Sequence, residues 1–136
     1  MKQIVVIFAV LLMTVTGVLA QNKKGVVEVL YFKANLACCK AKACNVLEND
    51  VKAIVEKNFT DGSVIFKEVK LADDTNKVLV EKYKAESQTV IIVKKKKKKE
   101  TSVDATEIVK AFLKSQDKDA LEKELLAKIS ELQKAK

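Results

Sequence analysis

The chain has 136 residues, with 26 basic and 18 acidic side chains, a formal net charge of +8, and no histidine or proline. Because histidine is the commonest general base and metal ligand, its absence excludes a Cys-His protease site and a His-rich zinc site. The chain has only three glycines and no glycine-rich phosphate loop, which disfavours nucleotide-dependent enzymes.

The first twenty residues have the pattern of a secretory signal peptide. Lys2 supplies a basic start, residues 4–18 are almost wholly apolar, and Val18 and Ala20 are small residues at the minus-three and minus-one positions of a cleavage site. The apolar run is shorter than the ~20 residues that a membrane-spanning helix needs, so no membrane span is expected. We predict an exported protein, periplasmic or secreted, with about 116 residues after cleavage. Disulfides are permitted in such a compartment.

The spacing of apolar residues predicts a strand, a helix and a second strand in the first half of the mature chain. Residues 26–32 form a near-continuous run of β-branched and aromatic side chains, which is typical of a strand covered on both faces. From Cys44 to about Asn58, apolar residues recur three and four positions apart, which indicates a helix. Residues 64–71 are expected to form the second strand.

A second helix and a third strand are expected next. Asp73 or Asp74 can cap the helix, which carries Val78 and Tyr83 among its apolar residues. Residues 89–93 are Thr89 followed by four aliphatic residues, which predicts another buried strand.

Six consecutive lysines occupy residues 94–99. We interpret the run as a solvated hairpin tip that leads into a fourth strand at residues 100–103, because charged side chains there prevent edge-to-edge pairing of strands. Binding to an anionic surface or lipid headgroup is the alternative. Nucleic acid is not expected as a partner, since no aromatic residue interrupts the run to stack on bases.

Two helices are expected after the hairpin. Residues 104–107 fit a capping box at the start of the first of them. The second begins after Ser115 or Asp117 and places four apolar side chains on one stripe: Leu121, Leu125, Ile129 and Leu132. That stripe lasts barely two heptads, so we expect it to pack on the core of a monomer and not to form a dimer seam.

Three cysteines, Cys38, Cys39 and Cys44, lie where the first strand gives way to the first helix. The unpaired N–H groups and partial positive charge of a helix N-terminus stabilise a thiolate and lower the pKa of a nearby cysteine. Lys40 and Lys42 add positive charge at the same place. We expect Cys38 and Cys39 to precede the helix in a partly exposed loop. Cys44 begins the apolar stripe and is expected to be buried.

These thiols have three candidate roles, namely a structural disulfide with one spare thiol, disulfide exchange, or a three-thiolate site for copper(I), zinc or trivalent arsenic. Three thiols cannot all pair within one chain, which favours a free or exchanging thiol. If Cys39 and Cys44 shared a helix, their Cα atoms would lie at least ~7.5 Å apart, beyond the usual ~6.8 Å limit for a disulfide. A disulfide to Cys44 therefore requires Cys38 or Cys39 to lie in the loop.

The order strand, helix, strand, helix, strand, strand, helix, with cysteines after the first strand, resembles the thioredoxin superfamily. Residues 31–32, 44–48, 79–83 and 87–92 are similar to a small exported bacterial thioredoxin-like family labelled nitrophenyl-compound nitroreductase subunit, or the ArsF family. The resemblance covers most of residues 26–114. It implies an α/β fold, thioredoxin-like βαβ-ββα, with a four-stranded mixed sheet and a C-terminal helical extension.

The resemblance divides the chain into a signal peptide at residues 1–20, a thioredoxin-like domain at 21–115 and a C-terminal helix at 116–136. The function that it implies is that of a thiol-disulfide oxidoreductase or redox partner, acting on a protein thiol or disulfide without a cofactor. The alternatives are a thiol module that binds a soft metal or arsenite, and a non-catalytic scaffold.

We assign the exchange roles from the expected positions of the thiols. Cys39 is predicted to be the nucleophile because it lies nearer the helix start. Cys44 is predicted to be the resolving thiol, and Cys38 an auxiliary one. In the metal-binding alternative all three would be ligands.

The chain departs from the superfamily pattern at three places. Thioredoxin-like oxidoreductases carry Cys-x-x-Cys, but here Ala41 stands three residues before Cys44, so the site is Cys-Cys-x4-Cys. The cis-proline that faces the active thiols corresponds to Gln88. The buried carboxylate of the first strand corresponds to Leu30. Glu28, one pleat earlier on the same face, is a candidate substitute as proton acceptor, although an ordinary strand residue near the sheet edge is the simpler interpretation.

Overall fold

The structure is a computed structural model that describes residues 25–35 and 39–135, with only the backbone of residues 39–41 and 43. The predicted signal peptide lies outside these residues. The helices and strands are β1 (Val27–Lys33), α1 (Cys39–Asn58), β2 (Val64–Lys70), α2 (Lys77–Tyr83), β3 (Val90–Lys96), β4 (Lys99–Asp104), α3 (Thr106–Ser115) and α4 (Lys118–Lys134). No helix in this part of the chain is long and apolar enough to cross a membrane.

One four-stranded mixed sheet organises the molecule. The strand order is β2-β1-β3-β4. Strand β1 runs parallel to β2 and antiparallel to β3, and β4 runs antiparallel to β3. The two runs for which we predicted buried strands form the central strands β1 and β3, so this prediction is confirmed. The fold is therefore the thioredoxin-like βαβ-ββα arrangement with an added C-terminal helix.

Helices α1, α3 and α4 cover one side of the sheet, which we call the three-helix face. Val27, Val29 and Tyr31 of β1 point to this side and share one core with the three helices. The apolar stripe of α4 belongs to the same core, since Leu125 and Ile129 are fully buried. Burial of each such side chain stabilises the fold by about 1.5–3 kcal/mol. The C-terminal helix is thus packed on the domain.

The short helix α2 covers the other side of the sheet, which we call the α2 face. Leu30 and Phe32 of β1 form a second core there, against Leu79 and Tyr83 of α2. Val78, which we grouped with the apolar residues of this helix, is instead 76% exposed. A helix of seven residues presents only a narrow stripe to the sheet, and Val78 lies outside it.

The capping box predicted at residues 104–107 is wrong. The N-cap residue of α3 is Ala105, which has no side-chain acceptor. The Asp104 carboxylate accepts a hydrogen bond from the Thr106 N–H at 2.8 Å. By contrast, Asp117, one of the two predicted start positions of α4, is its N-cap and accepts from the Ala120 N–H at 3.0 Å. One N–H group at the start of α3 is therefore satisfied by the residue before its cap.

Only Lys97 and Lys98 of the lysine run form the hairpin tip, between the end of β3 and the start of β4. Lys94 lies within β3 and is buried, and its ammonium group donates to the carbonyls of Gln133 at 2.8 Å and Ala135 at 2.6 Å. Lys95 pairs with Glu28 at 2.7 Å. Strand β3 therefore extends further into the lysine run than the charge of the run suggested, because the ammonium groups of Lys94 and Lys95 both have polar partners.

Candidate thiol site

Helix α1 begins at Cys39, so our expectation that both early cysteines precede the helix is wrong for Cys39. Residues 40–43 alternate lysine and alanine, which favour helix strongly, and the described helix includes Cys39. Cys39 and Cys44 therefore share one helix, with Cα atoms at least ~7.5 Å apart. A direct disulfide between them requires the first turn to unwind. Cys38 lies outside the described residues.

Cys44 is buried as predicted, with 6% of its surface exposed. Its side chain and its carbonyl each have a partner from the sheet side. The Gln88 side-chain amide donates to the Cys44 Sγ at 3.0 Å. The Tyr31 hydroxyl donates to the Cys44 carbonyl at 3.2 Å. The thiol is thus enclosed where β1 ends and β3 begins.

Gln88 lies in the turn that leads into β3. The Thr89 N–H donates to the Glu86 carbonyl at 3.2 Å, and the Gln88 N–H donates to the Phe32 carbonyl at 2.8 Å. Gln88 has a φ of +68°, and no peptide bond among the described residues is cis. Gln88, which our sequence analysis matched to the superfamily's cis-proline, therefore contacts a thiol through its side chain.

A carboxylate cluster lies one helical turn beyond Cys44. The Lys33 ammonium group is 2.6 Å from a carboxylate oxygen of Glu48 and 3.6 Å from one of Glu68. Burial raises the pKa of Glu48, the neighbouring Glu68 raises it further, and Lys33 opposes the rise. The pKa of Glu68 is lowered, chiefly by its hydrogen bond with Glu48. Glu48 is thus the member of the pair that holds a proton more tightly.

Tyr31 connects this cluster with the thiol. Burial raises the pKa of the Tyr31 hydroxyl strongly, and negative charge on Cys44 or Glu48 raises it further. The phenol therefore stays neutral and remains a hydrogen-bond donor. Because Cys44 and Glu48 both act on Tyr31, a thiol and a buried carboxyl occupy the same small region of the three-helix face.

Glu48 is a site residue that our sequence analysis missed. The available signal was its spacing, since residues four apart on a helix lie on one face and Glu48 follows Cys44 by four positions. The candidate that we did name, Glu28, pairs with Lys95 near the start of β1. It points to the α2 face, whereas Cys44 packs on the three-helix face. The proton-acceptor role for Glu28 is therefore wrong.

A cavity of about 640 Å³ lies at the opposite end of the sheet. It is lined by residues that precede β1 and β2 and by the ends of α1 and α4, including Gly25, Asn58, Ser63 and Ala135. None of the residues around Cys44 lines it. The thiol site and this cavity are separate features.

Comparison with known proteins identifies no family for the chain. No protein-family model matches it, and no curated protein matches it significantly. A solved structure described as "Structure of a malarial protein" is 24% identical, with a TM-score of 0.41, over 67% of this chain and 97% of that chain. The functional proposal therefore rests on the residues of this chain alone.

Proposed function

We propose that this protein is an exported thioredoxin-like protein that exchanges thiols and disulfides, either as an oxidoreductase or as a redox partner. Its reacting thiols are Cys38, Cys39 and Cys44. One observation carries the proposal, namely that the buried Cys44 sulfur accepts from the Gln88 amide and lies one helical turn from the buried Glu48 carboxyl. A hydrogen-bond donor stabilises a thiolate, and a nearby carboxylate can accept the proton of a thiol. A cysteine that only fills space needs neither.

In the reducing direction, the thiolate of Cys38 or Cys39 attacks one sulfur of a partner disulfide and releases the other partner sulfur, which takes up a proton. A mixed disulfide results. The Cys44 thiolate then attacks the protein sulfur of that bond, and the second partner sulfur leaves as a thiol. The protein becomes a disulfide, and two electrons pass to the partner. Oxidation of a partner dithiol is the reverse sequence.

The start of α1 at Cys39 bears on which thiol closes the disulfide with Cys44. Cys39 reaches Cys44 only if the first turn unwinds. Our sequence analysis requires the disulfide partner of Cys44 to lie outside the regular helix, which leaves Cys38 as the candidate. We therefore propose Cys38–Cys44 as the intramolecular disulfide. Cys39, our sequence-based choice as nucleophile, becomes the auxiliary thiol in this scheme.

Glu48 is proposed to accept the Cys44 proton. General acid–base groups work best when their pKa lies near the operating pH, and burial moves the pKa of Glu48 upward from its ordinary value of 4.5. Lys33 keeps the carboxylate form accessible through its ion pair at 2.6 Å. The cluster therefore offers a proton site one helical turn from the resolving thiol.

Export and membership of the thioredoxin-like ArsF family are part of the same proposal. The support for export is the pattern of residues 1–20. N-terminal sequencing of the exported protein should begin at Gln21. A sequence that still begins at Met1 would remove the disulfide-permissive compartment from the account.

Trapping of the mixed disulfide tests exchange directly. Reduced protein is mixed with oxidised glutathione, and its adducts are mapped by mass spectrometry. The Cys44→Ser variant should accumulate glutathione on Cys38 or Cys39, because the resolving step is lost, whereas the unsubstituted protein should proceed to an internal disulfide. The Cys38→Ser variant is the matched control and should form no internal disulfide to Cys44.

A different outcome would favour the metal-binding alternative. If Cys44→Ser accumulates no more adduct than the unsubstituted protein but loses one bound copper(I), zinc or arsenite ion per chain, exchange is contradicted. The three thiols would then be ligands and not exchange partners.

A further inference from the structure

Gln88 has a backbone conformation that its residue type disfavours. Four described residues other than glycine have a positive φ, namely Lys84, Gln88, Lys97 and Gln116. Lys84 and Gln116 are helix C-caps, and Lys97 lies at the hairpin tip, where a left-handed residue is common. Gln88 is the third residue of a turn, a position that normally takes glycine or asparagine when φ is positive. A glutamine there carries backbone strain.

The surrounding hydrogen bonds hold this turn on the end of β1. The Gln88 N–H donates to the Phe32 carbonyl at 2.8 Å, and the Phe32 N–H donates to the Thr89 carbonyl at 2.9 Å. With the backbone fixed on both sides, the side chain reaches the Cys44 sulfur, 3.0 Å from its Nε2 atom. Glycine would relieve the strain but would not make this contact.

A thiolate is a much stronger hydrogen-bond acceptor than the sulfur of a disulfide, since charge strengthens the bond. A fixed donor therefore stabilises the reduced form of Cys44 more than its oxidised form. We propose that Gln88 is a positioning residue that shifts the thiol-disulfide equilibrium of Cys44 toward the reduced form. The inference rests on the proposed function, because it requires Cys44 to form a disulfide.

The equilibrium with glutathione measures this effect. Two molecules of reduced glutathione convert the protein disulfide to two thiols and become one molecule of oxidised glutathione. We compare the unsubstituted protein with Gln88→Gly, which suits the positive φ, and Gln88→Glu, which has the same shape but places a carboxylate at the sulfur. Lys84→Gly is the matched control, since it relieves a positive φ at a position away from the thiol.

Measured at a pH at which the reduced protein carries Cys44 as a thiolate, the equilibrium constant for reduction should fall about tenfold in Gln88→Gly, the loss expected for a hydrogen bond to a charged group. It should fall further in Gln88→Glu, because the carboxylate repels the thiolate. Lys84→Gly should leave the constant unchanged. Urea unfolding of each variant confirms that it is folded. The folding equilibrium constant of Gln88→Gly should lie within about twofold of that of the unsubstituted protein.

Two negative results have different meanings. If the unsubstituted protein forms no disulfide to Cys44, the proposed function fails. If the disulfide forms but its constant is the same in Gln88→Gly and Gln88→Glu as in the unsubstituted protein, Gln88 has no influence on the sulfur and this inference is overturned. A rise of the constant in Gln88→Glu would overturn it as well.

Discussion

The two ends of the sheet use buried polar side chains in different ways. At the end away from the thiol, buried Lys94 donates to the Gln133 and Ala135 carbonyls. Helix C-terminal carbonyls lack partners within the helix and carry partial negative charge, so an ammonium group satisfies both needs. At the thiol end, the polar groups around Cys44 include a strained Gln88 and a carboxyl, Glu48, with a raised pKa.

The Lys94 contact is structural, whereas the groups around Cys44 are proposed to be reactive. Lys94 joins two elements in ordinary conformations, and its contacts stabilise the fold. The groups around Cys44 include one with unfavourable backbone geometry and one that resists ionisation. Unfavourable features of this kind cluster at functional sites. We infer that the lysine end holds α4 on the sheet and that the thiol end carries the chemistry.

The largest expected effect is at the lysine end. Lys94→Met keeps the length of the side chain but leaves the last α4 carbonyls without their donor. Hydrogen bonds to charged groups contribute ~1.5–3 kcal/mol each, and removal of a buried charge offsets part of the loss. Urea unfolding should therefore show a loss of about 2 kcal/mol, with no change in the reduction equilibrium of Cys44.

Lys96→Met is the matched control, because Lys96 is an exposed lysine of the same strand. Exposed substitutions of this kind usually change stability by less than ~0.5 kcal/mol. Equal effects of the two substitutions would show that Lys94 does not hold α4. A changed Cys44 equilibrium in Lys94→Met would contradict the separation of the two ends.

A smaller, pH-dependent effect is expected from Glu48→Gln. Glutamine keeps the shape of the side chain, a donor for Glu68 and an acceptor for Lys33, but it does not ionise. A carboxyl whose pKa is raised by folding contributes stability below its unfolded pKa and loses that contribution as the pH rises through the folded pKa. The unsubstituted protein should therefore lose stability relative to Glu48→Gln as the pH rises above about 4.5.

Urea unfolding of both proteins from acidic to neutral pH measures this difference. Glu68, whose pKa is lowered chiefly by its hydrogen bond with Glu48, acts in the opposite sense, and the glutamine amide at position 48 can still donate to it. Glu56→Gln is the control on the same helix, since the Glu56 side chain is 63% exposed. A stability difference that does not grow with pH in Glu48→Gln, or that grows equally in Glu56→Gln, would contradict the assignment to Glu48.

The sheet was predictable because its signals are local. The continuous apolar runs at residues 26–32 and 89–93 identified the two central strands, and Asp117 marked the start of α4. A strand that is buried on both faces of the sheet has a nearly continuous run of apolar residues, which is visible in the sequence. The start of α1 was not predictable in the same way. The first helical residues carry no capping signal, and we expected the two adjacent cysteines to lie in the loop before the helix.

The polar contacts were harder to predict because their partners are distant in sequence. Nothing in the sequence distinguishes Lys94 from the other lysines of its run, because its partner, the Gln133 carbonyl, lies 39 residues later in the chain. Gln88 reaches a sulfur 44 residues away. Only Glu48 had a local signal, its four-residue spacing from Cys44. Sequence periodicity therefore predicted the scaffold, whereas the contacts that distinguish the two ends depend on the tertiary fold.

The most direct test of the central claim is a disulfide map of the oxidised mature protein. The protein is oxidised with glutathione, its free thiols are alkylated, and its peptides are analysed by mass spectrometry without and with reduction. Our account predicts one intramolecular disulfide, Cys38–Cys44, with Cys39 alkylated. A map in which Cys44 is alkylated and carries no disulfide would contradict an exchange site at the start of α1.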